Sequence, residues 1–266
     1  RKWNPNFKPY ILLEKNGVHI INLEETIQAI DRASKFIKEI VGKNGEILFV
    51  GTKKQAKDIV QQEADRCSMF YVVERWLGGT LTNFSTIKKS IKRLKLLEKE
   101  GSNLYNNLTK KETQTINREK VKLADQHRGI KDMRRLPEAV LVVDAQYENT
   151  AIREAKRLDI PVIAIVDSNT DPEKVDYPIP ANDDSIRTIQ LIVAVLADAV
   201  NEAKGTAAQK ENDVHEDAAD DSGPLPEETA AEAADVQETE AKEEPVVLDT
   251  QADSEDTAND EIQEEE

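Results

Sequence analysis

The chain has 266 residues and a formal net charge of −16, but the charge is unevenly spread. Residues 1–204 hold 34 Lys and Arg against 29 Asp and Glu, a balance of +5, while residues 205–266 hold 2 against 23, a balance of −21. One cysteine, Cys67, excludes an intrachain disulfide framework and fits a reducing cytoplasm, and no apolar run approaches the roughly 20 residues of a membrane helix.

In chain order, "RKWNPNFKPYI" sets Lys2, Asn4 and Lys8 among Trp3, Phe7 and Tyr10, with two prolines that suggest an extended arm. Such an arm can neutralise phosphates and cover bases with its rings, or can simply pack its aromatics on the domain. A short strand is predicted at Val18–Ile21. Asn22, with Glu25 three residues on, then resembles a helix start. Leu23, Ile27, Ile30, Ile37 and Val41 follow a helical stripe that Gly42 can stop. "EILFVG" reads as a buried strand, with Thr52 as cap of the helix behind it. In "GTKKQ" a helix start and two lysines, Lys53 and Lys54, favour an anion, although the second glycine and the Lys-Ser/Thr pair of a phosphate loop are missing.

After the next strand, "FYVV", comes "RWLGGTLTNF". Here Gly78 and Gly79 let backbone approach a phosphate, and Arg75, Trp76, Thr80, Thr82 and Asn83 surround them. Lys88, Lys89, Lys92, Arg93 and Lys95 follow with no carboxylate until Glu98, a one-sign run that suits a polyanion or a merely solvated helix face. From residue 82 to 135 only two polar helical stretches are visible, around "EKEGSN". Their seams are narrow: Phe84, Ile87, Ile91 and Leu94 in the first, Ile116, Leu123 and Ile130 in the second. The prediction is a projecting coiled-coil hairpin over 82–135, its base made positive by Lys131, Arg134 and Arg135.

The alternation resumes with "AVLVVD", a helix at "NTAIREAKRLD", the strands "PVIAIVD" and "YPIP", and a last helix from Asn182 or Asp183 along Ile186, Ile189, Val193, Leu196 and Val200. Residues 1–81 and 136–204 therefore read as one α/β domain, a three-layer parallel sheet of about five strands. Residues 205–266 lack aromatic side chains and apolar runs, which predicts a disordered acidic tail.

No catalytic constellation assembles. Asp144 and Asp167 end successive strands, where a magnesium-dependent phosphotransfer enzyme or phosphatase keeps its carboxylates, but such aspartates are also common turn residues. His19, His127 and His215 have no zinc-site spacing, and no nucleophile elbow is present. No metal or cofactor is expected.

The stretches "RKWNPNFKPYI", "ILFVGTKKQA", "RWLGGTLTNF", "GIKDMRRLPEAVLVVDA", "IPVIAIVDSNTDP" and "IPANDDSIR", in this order, closely resemble bacterial small-subunit ribosomal protein two (the S-two family). The resemblance covers residues 1–204. It implies a flavodoxin-like domain with a coiled-coil hairpin, and a non-enzymatic role at the solvent-side junction of head and body. The partners it implies are small-subunit ribosomal RNA and neighbouring proteins, including the large messenger-binding one. Family members usually carry a Gly- and His-rich segment before the basic stretch, so residues ahead of Arg1 are expected. The resemblance does not reach the tail, which can be a solvated appendage, dock on basic neighbours, or screen the RNA face.

Overall fold

The computed structural model describes residues 3–99 and 109–217, and side chains as far as 206. The chain divides into two units, Arg1–Asp221 and Ser222–Glu266, and the second lies wholly outside the described residues. So do Lys2 and most of the predicted tail.

The first unit is built on a parallel sheet: β3 (Ile47–Val50), β4 (Phe70–Val72), β5 (Ala139–Val143), β6 (Val162–Val166) and β7 (Tyr177–Pro180), in the spatial order β4-β3-β5-β6-β7. This is the flavodoxin-like arrangement, with the order reversing between β3 and β5. Every residue of β3, β5 and β6 is buried, as strands covered on both faces must be. Leu48 pairs with Val140, Val142 with Ala164, and Ile165 with Ile179. The two-residue period then sorts the core into two clusters. Ile47, Phe49, Leu141, Ile163 and Ile165 meet α1 (Leu23–Val41), α2 (Lys57–Arg66) and α6 (Ile186–Asp217). Leu48, Val50, Val140, Val142 and Ala164 meet α5 (Asn149–Arg157), Phe7 and the first turns of α3 (Phe84–Glu98).

Several elements differ from the sequence expectations. The segment Pro5–Tyr10 is a 3-10 turn capped by Asn4, not an extended arm. Val18–Ile21 is β2, and it pairs antiparallel with β1 (Ile11–Lys15), apart from the main sheet. The turn between them is Asn16-Gly17, both at positive φ (54° and 73°), a strong hairpin signal that the strand prediction passed over. On α1 the buried line is Thr26, Ala29, Ala33, Ile37 and Val41, leaving Leu23 and Ile27 exposed. Small residues face inward because α1 packs against α6.

Thr52 does not cap α2, which begins only at Lys57; its N–H and hydroxyl both donate to Glu148. The last helix starts at Ile186 and runs to Asp217, thirteen residues beyond the expected boundary at Lys204. Asn182 instead accepts the Asp184 N–H in the turn before it.

The hairpin pairs α3 with α4 (Lys110–His127), whose start is fixed by a capping box between Thr109 and Glu112. Ile87, Ile91, Leu94 and Leu97 line the buried side of α3, and Ile87 and Ile91 belong to the second core cluster. The base of this helix is therefore part of the domain core. Arg93 forks onto Glu119 across the pair at 3.1 and 3.2 Å, and Ser90 meets the buried His127 Nε2 at 2.8 Å.

Candidate nucleic-acid interface

The glycine-containing turn after β4 does hold an anion, but the anion is the chain's own. Glu154, on α5, places its carboxylate inside the turn. Its Oε1 accepts from Trp76 Nε1 (3.1 Å) and the Gly79 N–H (2.7 Å). Its Oε2 accepts from the Leu81 N–H (3.0 Å), the Thr82 N–H (3.2 Å) and the Thr82 hydroxyl (3.2 Å). Gly79, at φ +90°, supplies the bend. Burial alone would raise this carboxyl's pKa, but the hydrogen bonds from Gly79, Trp76, Thr82 and Leu81 outweigh it and hold it below the usual range.

Trp76 and Thr80 are buried, and the Thr80 hydroxyl donates to the Leu77 carbonyl. The expectation that Trp76, Gly79, Thr80 and Thr82 present their donors to a phosphate is therefore corrected. Gly78 is exposed, and Asn83 accepts hydrogen bonds from Ser85 and Thr86 at the start of α3.

Lys53 is corrected likewise. Its ammonium lies 3.0 Å from Asp144, 2.9 Å from Asp183 and 2.7 Å from Asp184. Burial works to lower its pKa, but the hydrogen bonds to Asp184, Asp183 and Asp144 prevail and raise it above the ordinary lysine value. Asp144 sits at φ 69° and also accepts the N–H groups of Gln146 and Tyr147. A lysine thus stands among the aspartates where the magnesium reading required a metal. Asp167 instead holds a turn, its carboxylate accepting the Ser168 N–H and its carbonyl the Thr170 N–H. Among the described residues no cluster of three or more His, Cys, Asp or Glu side chains is arranged to hold a metal ion. Burial, with Asp144 and Asp167 nearby, raises the Asp183 carboxyl to about 6 despite Lys53.

The N-terminal segment is tied down. Phe7 is fully buried, the Asn4 N–H donates to the Ser168 carbonyl (2.7 Å), and Asn6 donates to Asp171. Trp3 remains 41% exposed and tilts against His19 with ring centroids 5.1 Å apart, while Lys8 is exposed.

The basic residues of α3 divide by face. Arg93 is paired with Glu119, Lys95 with Asp132 (2.8 Å), and Lys131 with Glu98. Lys88 lies over the Phe84 ring and donates to the Arg134 carbonyl, which brings the loop after the hairpin against the start of α3. Lys89, Lys92 and Arg134 are exposed and in no ion pair among the described residues. Lys54 and Arg75 share that condition near the strand ends. Arg135 is instead bound to the Asn44 carbonyl (2.6 Å) and lies 3.5 Å from Glu46 and Glu138.

The family model for Ribosomal protein S2 matches residues 1–203, three quarters of the chain and all of its folded sheet. The chain belongs to the ribosomal protein S2 family. As a member it is a ribosomal protein of the cytoplasmic ribosome. Among the described residues no helix is long and apolar enough to cross a membrane.

The residues missed at the sequence level are Glu154 and Glu148, whose partners lie 72–96 positions away, and Arg118 and Lys122 on α4. These last two line an open groove with Arg75, Gln114 and Asn117. Their alternation with Glu119 and Asp125 hid them in sequence, since only the fold separates the faces of that helix.

Proposed function

We propose that this chain is a structural, non-enzymatic constituent of the small ribosomal subunit, supporting translation by binding small-subunit ribosomal RNA at the solvent-side junction of head and body. The observation that carries this reading is the set of exposed, carboxylate-free cations around the hairpin base: Lys89, Lys92 and Arg134, with Lys88 beside them. Lys54, Arg75 and Lys8 extend the positive surface. Contacts of this kind neutralise phosphates and set orientation, so shape and phosphate spacing dominate recognition over base sequence. The paired hairpin helices act as a coiled-coil arm that also meets neighbouring ribosomal proteins, among them the large messenger-binding one.

The test is the affinity of the full chain for small-subunit ribosomal RNA as salt is raised. Each phosphate neutralised contributes about 0.7–0.9 to the slope of log K against log salt. The K89A/K92A variant is expected to lower that slope by about 2 and to weaken binding across unrelated RNA sequences alike. An unchanged slope would remove these lysines from the interface. Loss of residues 218–266 is expected to leave subunit association in place.

A further inference from the structure

Flavodoxin-like sheets bind ligands at the carboxyl ends of their strands where the strand order reverses. In this chain that point lies between β3 and β5, and a crevice of about 470 Å³ opens beside it. Thr52 enters from the end of β3, Glu74, Arg75 and Trp76 from the end of β4, with Glu74 already paired to Lys57, and Tyr147, Glu148 and Thr150 from the end of β5. The volume lies within the range of about 300–1,000 Å³ for small-ligand pockets.

The chemistry of the lining is specific. Tyr147 is 64% exposed, so its ring face is open to a base at the mouth of the crevice. Glu148 is buried, and Thr52 donates both its N–H and its hydroxyl to Oε1. Oε2 carries no hydrogen bond among the described residues. The crevice therefore offers a ring face for stacking, a fixed carboxylate oxygen for an N–H donor, and the Arg75 guanidinium for a phosphate. Arg75 and Glu74 also line the open groove along α4 with Arg118, Lys122, Gln114 and Asn117, so crevice and groove adjoin. The groove also holds Asp125 and the exposed Val121, and among them its three cations and its side-chain amides supply the groups that can meet a sugar-phosphate strand.

We infer that the crevice receives one unstacked guanine nucleotide of an RNA strand, with the base on Tyr147, its N–H edge on Glu148, and the adjoining phosphates on Arg75, Arg118 and Lys122. Guanine fits best because its pairing edge presents adjacent N–H donors, whereas Glu148 is an acceptor held in place by Thr52. Burial, the largest influence, and the Asp144 charge raise the Glu148 pKa, and donors from a base edge would offset that cost. The inference rests on the RNA-binding reading above but uses different residues from the α3 lysines, so the two can fail separately.

The experiment titrates the full chain with the trinucleotides UGU and UAU and with guanosine 5′-monophosphate, following the fluorescence of Trp76 in the crevice wall in a Trp3→Phe background. UGU is expected to bind saturably and at least tenfold more tightly than UAU. The mononucleotide should be weaker than UGU because it cannot reach the groove. Tyr147→Ala, at an exposed position that should not disturb folding, is expected to weaken UGU about tenfold, equivalent to one stacked base at roughly 1–3 kcal/mol. Glu148→Gln should erase the preference for UGU over UAU.

Equal binding of UGU and UAU, no saturable binding, or indifference to Tyr147→Ala would overturn the inference. Equal affinity for the mononucleotide and UGU would overturn the RNA strand as the source. The K89A/K92A variant separates the two readings: it should weaken ribosomal RNA binding while leaving the UGU preference unchanged.

Discussion

At the scale of single residues, the decisive feature is the carboxylate of Glu154 inside the turn from Trp76 to Thr82. Five donors converge on it, and four of them are a ring N–H or backbone N–H groups that would otherwise be orphaned. Hydrogen bonds to a charged group contribute about 1.5–3 kcal/mol, and an orphaned buried donor costs about 1–3 kcal/mol. Glu154→Ala is therefore expected to destabilise the chain by at least about 3 kcal/mol in chemical denaturation, with Glu154→Gln intermediate. Because the folded pKa of Glu154 is depressed, its contribution is complete above the unfolded value near 4.5 and is lost as pH falls through the lower folded value.

Asp183 works in the opposite sense. Its folded pKa, raised to about 6 from 3.8, makes it a cost above pH 6 that is relieved as pH falls towards 4. Asp183→Asn is expected to flatten that part of the stability–pH profile, read as the change in Tm between pH 6.5 and pH 4. Neither role was legible in the sequence. A glutamate in the middle of a helix looks solvated until the fold brings a turn 72–78 residues away onto it.

At the scale of elements, the strands were legible and the helix faces less so. "ILFV", "AVLVV" and "VIAIV" are unbroken apolar runs between polar segments, and at four or five residues, rich in β-branched side chains, they are too short for a helix and fit buried strands. The inward face of α1 depends on which helix lies against it, and Ala29 and Ala33 were outranked in the sequence by Leu23 and Ile27, which are exposed. The hairpin was visible as a break in alternation, but the attachment of its base was not. That attachment rests on Gly129, where an added Cβ would lie 2.2 Å from the Tyr71 carbonyl oxygen and 2.5 Å from its ring. Backbone cannot yield as a flexible side chain would. Gly129→Ala is expected to cost about 1–3 kcal/mol and to loosen the hairpin base from β4, seen as faster amide exchange around Tyr71 and Ile130.

At the scale of the whole molecule, a chain with a net charge of −16 is assigned to hold RNA, and only the separation of its charge makes that reasonable. The folded part carries a balance of +5, and part of its positive charge is neutralised internally by pairs such as Lys53 with three aspartates and Arg93 with Glu119. Of the cations left exposed and in no ion pair among the described residues, Lys89, Lys92 and Arg134 gather at the hairpin base, while others such as Arg32, Lys35, Lys43, Arg153 and Lys174 are scattered over the rest of the domain. The glycine turn, the most arresting motif in the sequence, serves the fold by gripping Glu154. The lysines beyond it face outward.

The most direct test is a protein–RNA cross-linking map of the assembled small subunit, read residue by residue along this chain. Cross-links to RNA are expected at Lys89, Lys92 and Arg134, and none at Lys53 or Trp76, which the fold has already engaged. A map with RNA cross-links at Lys53 and Trp76 but none at Lys89, Lys92 or Arg134 would contradict the assignment of the hairpin base as the RNA-binding surface.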